Sequence, residues 1–266
     1  MSEHTRSHGR GLNVQTGHAS RQGASHLKDG TPNQDSAVVA TSFLGRLGPA
    51  AIMAVSDGAG SARYSQFGSK AACAAGVASL ARQLERNRAI AVKGHLLRSA
   101  LQRAVRSARR SVMDTAHRSA GAVNVNDYAC TVMLALASER LVGVAHVGDG
   151  CVVAGDGDEW RLLSKPDNGE FANETKFLTN PRNLPRIAVT SGSGVRCVAA
   201  ITDGLQDVAL SRGTAPYERF WSPLYRALNR SFASTPDAVL EALLRKVGDA
   251  GKATDDCTIA VCIRKG

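Results

Sequence analysis

The sequence predicts an α+β fold in which two antiparallel β-sheets stack and helices cover both outer faces, a four-layer α/β/β/α sandwich. Short apolar runs rich in β-branched residues, bounded by glycine, proline or aspartate, are typical of strands. Two long alanine-rich segments with apolar residues three or four positions apart are typical of helices. The order of strands, two helices, strands, helices and one last strand fits two stacked sheets with helices outside each.

The first half of the chain supplies two strands and two long helices. Apolar runs predict strands at 36–42 and 50–56, separated by a turn that contains glycine and proline. Helical periodicity then covers 65–84 and 95–119, and the second of these segments has a clear apolar side. Both helices are therefore expected to cover one face of a sheet.

The second half adds hairpins, two further helices and a closing strand. We expect strands within 128–137, 140–149, 151–164, 186–191, 195–204 and 257–265, and helices at 216–230 and 236–249. The segment 165–186 contains three prolines and shows no clear period, which predicts an irregular surface segment.

The length of 266 residues and the hydrophobic content of 43% fit one large domain better than two small ones. We place this domain at residues 18–266, after a polar segment, 1–17, that is expected to be flexible. The sequence has no apolar run of about 20 residues and no apolar core of a signal peptide, so we expect a cytoplasmic location and no membrane partner.

The six cysteines contain no CxxC pair and lie mostly inside apolar runs typical of strands. A thiol in such a position behaves as a small hydrophobe, which we favour over a zinc or disulfide site.

Much of the formal charge of +10 lies between residues 82 and 118, where ten lysines or arginines face only Glu85 and Asp114. Such a field attracts phosphorylated or acidic partners and, without sequence specificity, nucleic acid. A solvated helix face is the more common explanation. Aromatic residues are only 5% of the chain, and none lies among these arginines, which argues against stacking on nucleic-acid bases.

Four apolar strands are bordered by aspartate. Asp57, Asp149 and Asp203 each follow a strand and precede a glycine, and Asp255 and Asp256 come directly before the last strand. Glycine has no Cβ, so the backbone can approach a ligand closely at these points. A single Asp-Gly pair is more often a plain turn, but four such instances favour a shared site.

Carboxylates that converge at one edge of a sandwich repel each other unless protons or cations offset the repulsion. Mg²⁺ and Mn²⁺ prefer oxygen ligands, whereas clustered histidines and cysteines would indicate zinc. The aspartates therefore predict a site for hard divalent cations, formed by residues that are far apart in the chain.

Five short motifs follow each other along most of the chain. They are NQDS (33–36), VSDGAG (55–60), VGDG (147–150), ITDGL (201–205) and TDDCTIAV (254–261). In this order and spacing the set resembles the metal-dependent protein phosphatases of the 2C type, in particular their bacterial members. The resemblance implies two Mn²⁺ or Mg²⁺ ions at one edge of the sandwich, which activate a water that hydrolyses phosphoserine and phosphothreonine in proteins.

The resemblance also implies roles for individual residues. Asp57 would bridge both cations and so be catalytic, and the carbonyl of Gly58 would bind one of them. Asp203 and Asp255 would bind the other cation, and Asp255 is preferred as a ligand to its neighbour Asp256.

Two further aspartates have implied roles, and one family feature is missing. Asp35 would be catalytic by holding a water from outside the ligand set, and Asp149 would contribute to a third, weaker cation site. Many members carry an arginine four or five residues before the aspartate of the first motif to bind the substrate phosphate, but here those positions hold threonine and glycine. His26 and Lys28 lie slightly upstream and are candidates for this role, with a solvated surface pair as the alternative.

The favoured function is therefore a phosphatase that acts on phosphorylated proteins, with a cognate serine/threonine kinase as its counterpart. The missing arginine leaves a second hypothesis, a pseudophosphatase or metal-binding scaffold with little turnover. Retention of Asp57, Asp203 and Asp255 argues against this scaffold. A nucleic-acid-binding protein that uses the positive charge is the third and least favoured hypothesis.

Overall fold

The computed structural model describes residues 13–119, 124–167, 175–230 and 235–265. Five strands form a first antiparallel sheet, in the order β2 (Ser36–Phe43), β3 (Pro49–Ser56), β4 (Val132–Ala137), β5 (Leu141–Val147), β8 (Arg186–Ser191). Five others form a second antiparallel sheet, in the order β1 (Asn13–Arg21), β12 (Cys257–Lys265), β9 (Cys197–Ile201), β6 (Cys151–Gly155), β7 (Trp160–Ser164). A two-stranded ribbon joins β10 (Leu210–Ser211) to β11 (Ala215–Pro216).

Four of the helices are long enough to cover a sheet. They are α2 (Ser65–Arg86), α3 (Gly94–Arg118), α5 (Glu218–Arg230) and α6 (Pro236–Asp249). The shorter helices are α1 (Ala24–Asp29) and α4 (Gln206–Ala209), and 3-10 turns occupy Gly45–Leu47, Arg88–Ala91, Val125–Tyr128 and Asp203–Leu205. None of the helices in the described part of the chain has an apolar stretch long enough to cross a bilayer.

Three layers of apolar packing hold the sheets and helices together. One lies between the first sheet and the helices α2 and α3, and another lies between the second sheet and the helices α5 and α6. The third lies between the two sheets. The structure is therefore the predicted four-layer sandwich, in which both sheets are buried on both faces.

The helix α3 shows how the sequence pattern produces this packing. Leu97, Leu101, Ala104, Ala108 and Val112 are fully buried and recur every three or four residues, so they share one face of the helix. That face packs against the first sheet and α2. The polar residues of α3, which lie between the apolar ones in the sequence, are directed toward solvent.

The expected flexible segment 1–17 is too long. Strand β1 begins at Asn13 and pairs with β12 over its full length, so residues 13–17 are part of the second sheet. Residues 1–12 lie outside the described residues, as does 168–174 within the expected irregular segment. A Cβ at Gly17 would lie 2.6 Å from Pro236 Cβ, so helix α6 packs too closely on β1 for large apolar side chains. Strand β1 therefore consists mostly of small and polar residues, which do not form the apolar pattern from which strands are predicted.

All six cysteines are free and buried. Burial raises the pKa of the Cys130 and Cys151 thiols to about 12, so both stay protonated near neutral pH. This agrees with the expectation that the cysteines act as small hydrophobes.

Candidate metal centre

The aspartates singled out by the sequence lie at one edge of the sandwich. In the first sheet β2 begins there, and β3 and β5 end there. In the second sheet β9 ends at the same edge, and β12 begins there because it is antiparallel to β9. We call this edge the acid rim, and its members are Asp35, Asp57, Asp149, Asp203, Asp255 and Asp256.

Asp57 is fixed by the start of the neighbouring strand. Its backbone N–H donates to Thr131 Oγ1 at 2.9 Å, and its carbonyl accepts from the Thr131 N–H at 2.8 Å. The hydroxyl of Ser56 donates to the Thr131 carbonyl at 2.6 Å. These bonds hold the backbone of Asp57 without using its side chain, so the carboxylate is left for other partners.

Two of the glycines that follow rim aspartates are required by close packing. A Cβ at Gly58 would lie 2.7 Å from the Gln34 carbonyl oxygen and 2.8 Å from Ser65 Cβ. A Cβ at Gly204 would overlap the carbonyl oxygen of Asp256. Both glycines therefore let separate segments of the chain meet at the acid rim.

The carbonyl of Gly58 is not used in the ladder beside it. Gly58 forms an isolated antiparallel bridge with Cys130, and the two hydrogen bonds of this bridge are made by Asp57 and Ala59. The carbonyl of Gly58 therefore fits the expected role of a cation ligand.

Three carboxylates converge at the acid rim. Asp57, Asp149 and Asp203 each place one carboxylate oxygen within 4.8 Å of the other two. Burial and then the charges of Asp35 and Asp203 raise the pKa of Asp57 well above its ordinary value. Burial, followed by the charge of Asp149, raises the pKa of Asp203 to about 6. Like charges this close are stable only when protons or cations neutralise them.

Two buried oxygens of the rim lack a hydrogen-bond donor among the described residues. Thr202 Oγ1 donates to Asp35 Oδ2 at 2.8 Å, and Thr175 Oγ1 donates to Asp149 Oδ2 at 2.6 Å. Asp35 Oδ1 and Asp149 Oδ1 are buried without a partner. Burial raises the pKa of Asp35 to about 8. A buried carboxylate oxygen without a partner costs free energy, so bound divalent cations and their waters fit this donor set.

Asp255 lies beside the three-carboxylate group, in a second cluster with His26 and Asp256. Its negative charge contributes to the raised pKa of Asp203, which places it near that carboxylate. His26 Nε2 lies 3.8 Å from Asp255 Oδ1, and His26 Nδ1 lies 3.0 Å from Asp256 Oδ1. Lys28, the other candidate for the phosphate, is exposed on the same short helix.

Asp256 has a structural role that its neighbour lacks. Its carboxylate accepts from the Gly23 N–H at 2.8 Å and from the Gln34 N–H at 2.7 Å, and the residue is only 3% exposed. These bonds tie the start of β12 to the segments after β1 and before β2. Both oxygens of Asp256 are thus occupied, whereas Asp255 accepts the Asp256 N–H at 2.7 Å through Oδ1 alone, so Asp255 stays the preferred candidate for a cation ligand.

Several residues around Asp149 were not anticipated. Lys176 Nζ lies 3.2 Å from both carboxylate oxygens of Asp167, and the Asp167 N–H donates to the Gly148 carbonyl. Together with Thr175 they hold the loop that carries Asp149. No sequence motif marks them, because they lie in the segment without a regular period.

His146, on the strand leading to Asp149, is buried between the sheets. Its Nδ1 lies 2.7 Å from Ser164 Oγ on β7, and it belongs to neither of the two clusters of described residues that could hold a metal. Burial, and then the charge of Arg186, lowers its pKa to about 3. It is therefore a neutral, hydrogen-bonded residue of the interior.

A cleft of about 540 Å³ lies at the opposite edge of the sandwich, between the turns that connect β4 to β5 and β8 to β9. Its lining includes Arg140, Arg196 and Arg264. Arg264 is 6% exposed and donates to the carbonyls of Gly192 at 2.8 Å and Val195 at 2.9 Å. This arginine holds the turns together, and the cleft is separate from the acid rim.

Comparison with known proteins shows what this chain resembles. A serine/threonine-protein phosphatase 3 of Escherichia coli (strain K12) is 28% identical over 253 residues, which is 92% of this chain and 96% of that protein. The solved structure of the serine/threonine phosphatase Stp1 from Staphylococcus aureus shares the fold with a TM-score of 0.65, at 15% identity over 96% of this chain and 97% of that one. The catalytic domain of the phosphatase PstP, solved with two manganese ions, has a TM-score of 0.65 at 17% identity over 96% of this chain and 100% of that one.

The family assignment rests on most of the chain. The model of the family "Protein phosphatase 2C" matches residues 22–245. This range contains the strands and loops that carry Asp35, Asp57, Asp149 and Asp203. The chain therefore belongs to the protein phosphatase 2C family.

Proposed function

We propose that this protein hydrolyses phosphoserine and phosphothreonine in proteins with two Mn²⁺ or Mg²⁺ ions bound at the acid rim. The observation that carries the proposal is the convergence of Asp57, Asp149 and Asp203 within 4.8 Å of one another. These three ligands are all carboxylates, which suits hard cations better than zinc. The two manganese ions in the PstP structure support this choice of metal.

The donor set has one group for each role that the family suggests. Asp57 and Asp203 would hold the two cations together with the Gly58 carbonyl. Asp255 would complete one ligand set, and Asp149 would serve a third, weaker site. When bound, such cations lower the pKa of a water and neutralise the charge of the phosphate.

Residues of the chain would position the attacking water, and no side chain has to act as the nucleophile. Asp35 is held by Thr202, and its buried Oδ1 is free to accept a hydrogen bond from a water at the rim. No protein nucleophile is needed, because the water attacks phosphorus and the serine or threonine oxygen leaves with a proton from solvent or a nearby acid.

Binding of the substrate phosphate by His26 and Lys28 stays a prediction. His26 already faces two carboxylates and lies closer to Asp256 than to Asp255, which favours a role in holding this acidic pair over binding the phosphate. The exposed Lys28 is free to turn toward a ligand at the rim. The cytoplasmic location and the cognate kinase expected from the sequence also stay predictions.

The first test compares the wild type with Asp57→Asn on p-nitrophenyl phosphate and on a phosphothreonine peptide. We expect hydrolysis that requires Mn²⁺ or Mg²⁺, stops with EDTA and falls at least about 100-fold in the variant, because one charge is lost from both cation sites. Asp158→Asn, in the exposed turn between β6 and β7 at the opposite edge, is the matched control and should keep full activity.

The same samples separate an enzyme from a scaffold. A scaffold would show a rise in melting temperature with Mn²⁺ but no hydrolysis of either substrate. Hydrolysis that persists in EDTA, or that survives in Asp57→Asn, would contradict the proposal.

A further inference from the structure

The outer face of α3 carries a stripe of exposed basic residues. Its exposed basic residues are Arg103, Arg106, Arg110 and His117. Met113, which is 38% exposed, lies between the last two, so neighbouring members of the stripe are three or four residues apart. Residues at these spacings lie on one face of a helix. The stripe is therefore a continuous line about 21 Å long, from the rise of about 1.5 Å per residue.

The charge of this stripe is only partly offset within the protein, by the exposed Asp114 four residues after Arg110. Helix α3 contains six arginines and a single acid, Asp114. In the described part of the chain, no carboxylate lies within 4.0 Å of an α3 arginine. Arg103 instead binds the side-chain oxygen of Gln83 at 2.6 Å, which connects the stripe to α2 and its exposed Arg82 and Arg86. These arginines are therefore available to pair with a partner that carries negative charge.

The C-terminal end of α3 is connected to the acid rim through the turn Val125–Tyr128. The hydroxyl of Ser119, directly after α3, lies 2.5 Å from the hydroxyl of Tyr128. The carbonyl of Asp127, directly before this tyrosine, accepts a hydrogen bond from the Tyr64 N–H at 2.7 Å. The carbonyl of Ala129, directly after it, accepts one from the Ala59 N–H at 2.9 Å. Both donors belong to the loop that starts at Asp57. These links place the end of α3 and the acid rim on the same side of the sandwich, so a substrate that extends from the rim has α3 as a neighbouring surface.

We propose that the stripe binds an acidic stretch of the phosphoprotein substrate next to the phosphorylated residue. This inference rests on the proposed function and specifies its substrate class. An extended peptide needs about six residues to span the stripe, at about 3.4 Å per residue. Aspartate and glutamate suit the arginines, and Met113 offers contact to one apolar side chain. Helix α3 contains no phenylalanine, tyrosine or tryptophan on which nucleic-acid bases could stack, so a polypeptide fits better.

The test uses two phosphothreonine peptides that differ only in their flanking residues, acidic in one and uncharged in the other. The variant is Arg106→Glu with Arg110→Glu. Its matched control is Arg219→Glu with Arg226→Glu, which changes two exposed arginines of α5 on the opposite outer face. Both variants change the net charge equally, so a general effect of charge is the same in both.

We expect the wild type to prefer the acidic peptide about 10-fold in kcat/KM at low salt, and less at high salt. The α3 variant should lose this preference, the α5 control should keep it, and all three proteins should hydrolyse p-nitrophenyl phosphate equally. Equal kcat/KM of the wild type for both peptides, or equal loss in the α5 control, would overturn the inference.

A binding experiment keeps this inference separate from the proposed function. Fluorescence anisotropy with an unphosphorylated acidic peptide should show binding to the wild type and weaker binding to the α3 variant, even if no phosphatase activity is found. Absence of Mn²⁺-dependent hydrolysis would count against the proposed function alone. Tighter binding of a single-stranded oligonucleotide with the same net charge would identify a nucleic-acid surface instead and would overturn the inference.

Discussion

Asp149 owes its orientation to a residue outside the family motifs. Thr175 Oγ1 donates to one oxygen of Asp149 and leaves the other buried without a donor among the described residues. A hydrogen bond of this kind fixes the direction of a ligand and adjusts its basicity. Thr175 is thus expected to act as a positioning residue for the proposed cation site at Asp149.

Replacement of Thr175 by valine removes this hydroxyl at almost constant volume. We expect the Mn²⁺ concentration for half-maximal activity to rise about 10- to 100-fold, while kcat at saturating Mn²⁺ changes much less. Titration of p-nitrophenyl phosphate hydrolysis with Mn²⁺ measures this shift. Thr175→Ser keeps the hydroxyl and should restore the wild-type value. A loss of kcat with an unchanged Mn²⁺ requirement would refute the positioning role.

At the scale of elements, helix α2 depends on glycine for its contact with the turn before β4. A Cβ at Gly68 would overlap the carbonyl oxygen of Tyr128. That turn leads directly to Thr131, which fixes the backbone of Asp57. The close approach of α2 is therefore connected to the geometry of the acid rim.

Gly68→Ala should destabilise the protein by about 1–3 kcal/mol, because the helix or the turn must move. Helix propensity alone predicts the opposite sign, a gain of about 1 kcal/mol. The exposed Ala74 is the control, since Ala74→Gly should cost about 1 kcal/mol through propensity alone. Urea unfolding of both variants measures these changes. An increase in the free energy of unfolding for Gly68→Ala would contradict the prediction, because the contact with Tyr128 would then tolerate a Cβ at this position.

The elements with strong periodicity were predictable from the sequence, and those shaped by their neighbours were not. Helix α6 and strand β12 have the predicted bounds, because a proline start and a run of β-branched residues mark them. Strand β1 was missed because its half-buried, small residues fit beneath α6. Helix α1 was missed because it is six residues long and has no buried residue.

The same contrast holds for the acid rim. Aspartates at strand ends were found because antiparallel strands bring such ends to one edge. The contact between His26 and Asp256 was not predictable, because it joins residues from nearly opposite ends of the chain. The bond from Thr175 to Asp149 depends on a segment without regular structure. Such contacts are determined by tertiary packing, which leaves no periodic pattern.

For the whole molecule, the acid rim makes stability depend on pH and on metal. Burial raises the pKa of Asp35 to about 8 and that of Asp203 to about 6. Without metal, the folded protein therefore binds more protons than the unfolded chain above pH about 4. Its free energy of unfolding falls as the pH rises, because the unfolded chain releases these protons more easily. In the proposed cation site, bound divalent cations would take the place of the protons, and we expect them to reverse the trend.

The metal-free protein should thus melt at a lower temperature at pH 8 than at pH 6.5, and Mn²⁺ should raise the melting temperature more at pH 8. Each such carboxylate contributes up to about 1.4 kcal/mol per pH unit. Asp35→Asn should reduce the dependence of the melting temperature on pH in EDTA. His146 has the opposite effect on stability, but mainly below this window, because its pKa is about 3 in the folded protein and about 6.5 in the unfolded chain. Calorimetry in EDTA and in Mn²⁺ measures both trends, and a flat profile in EDTA would contradict them.

Strand β12 lies inside the second sheet, between β1 and β9, although it is translated after both. While the polypeptide emerges from the ribosome, β1 has no partner until residues 257–265 are made. Asp255 and Asp256 are added just before this strand, and Asp256 then joins Gly23 to Gln34. A nascent chain that lacks these residues has neither a complete second sheet nor all ligands of the proposed cation site. We therefore expect the second sheet, and with it the proposed activity, to be completed only after residues 257–265 have been synthesised.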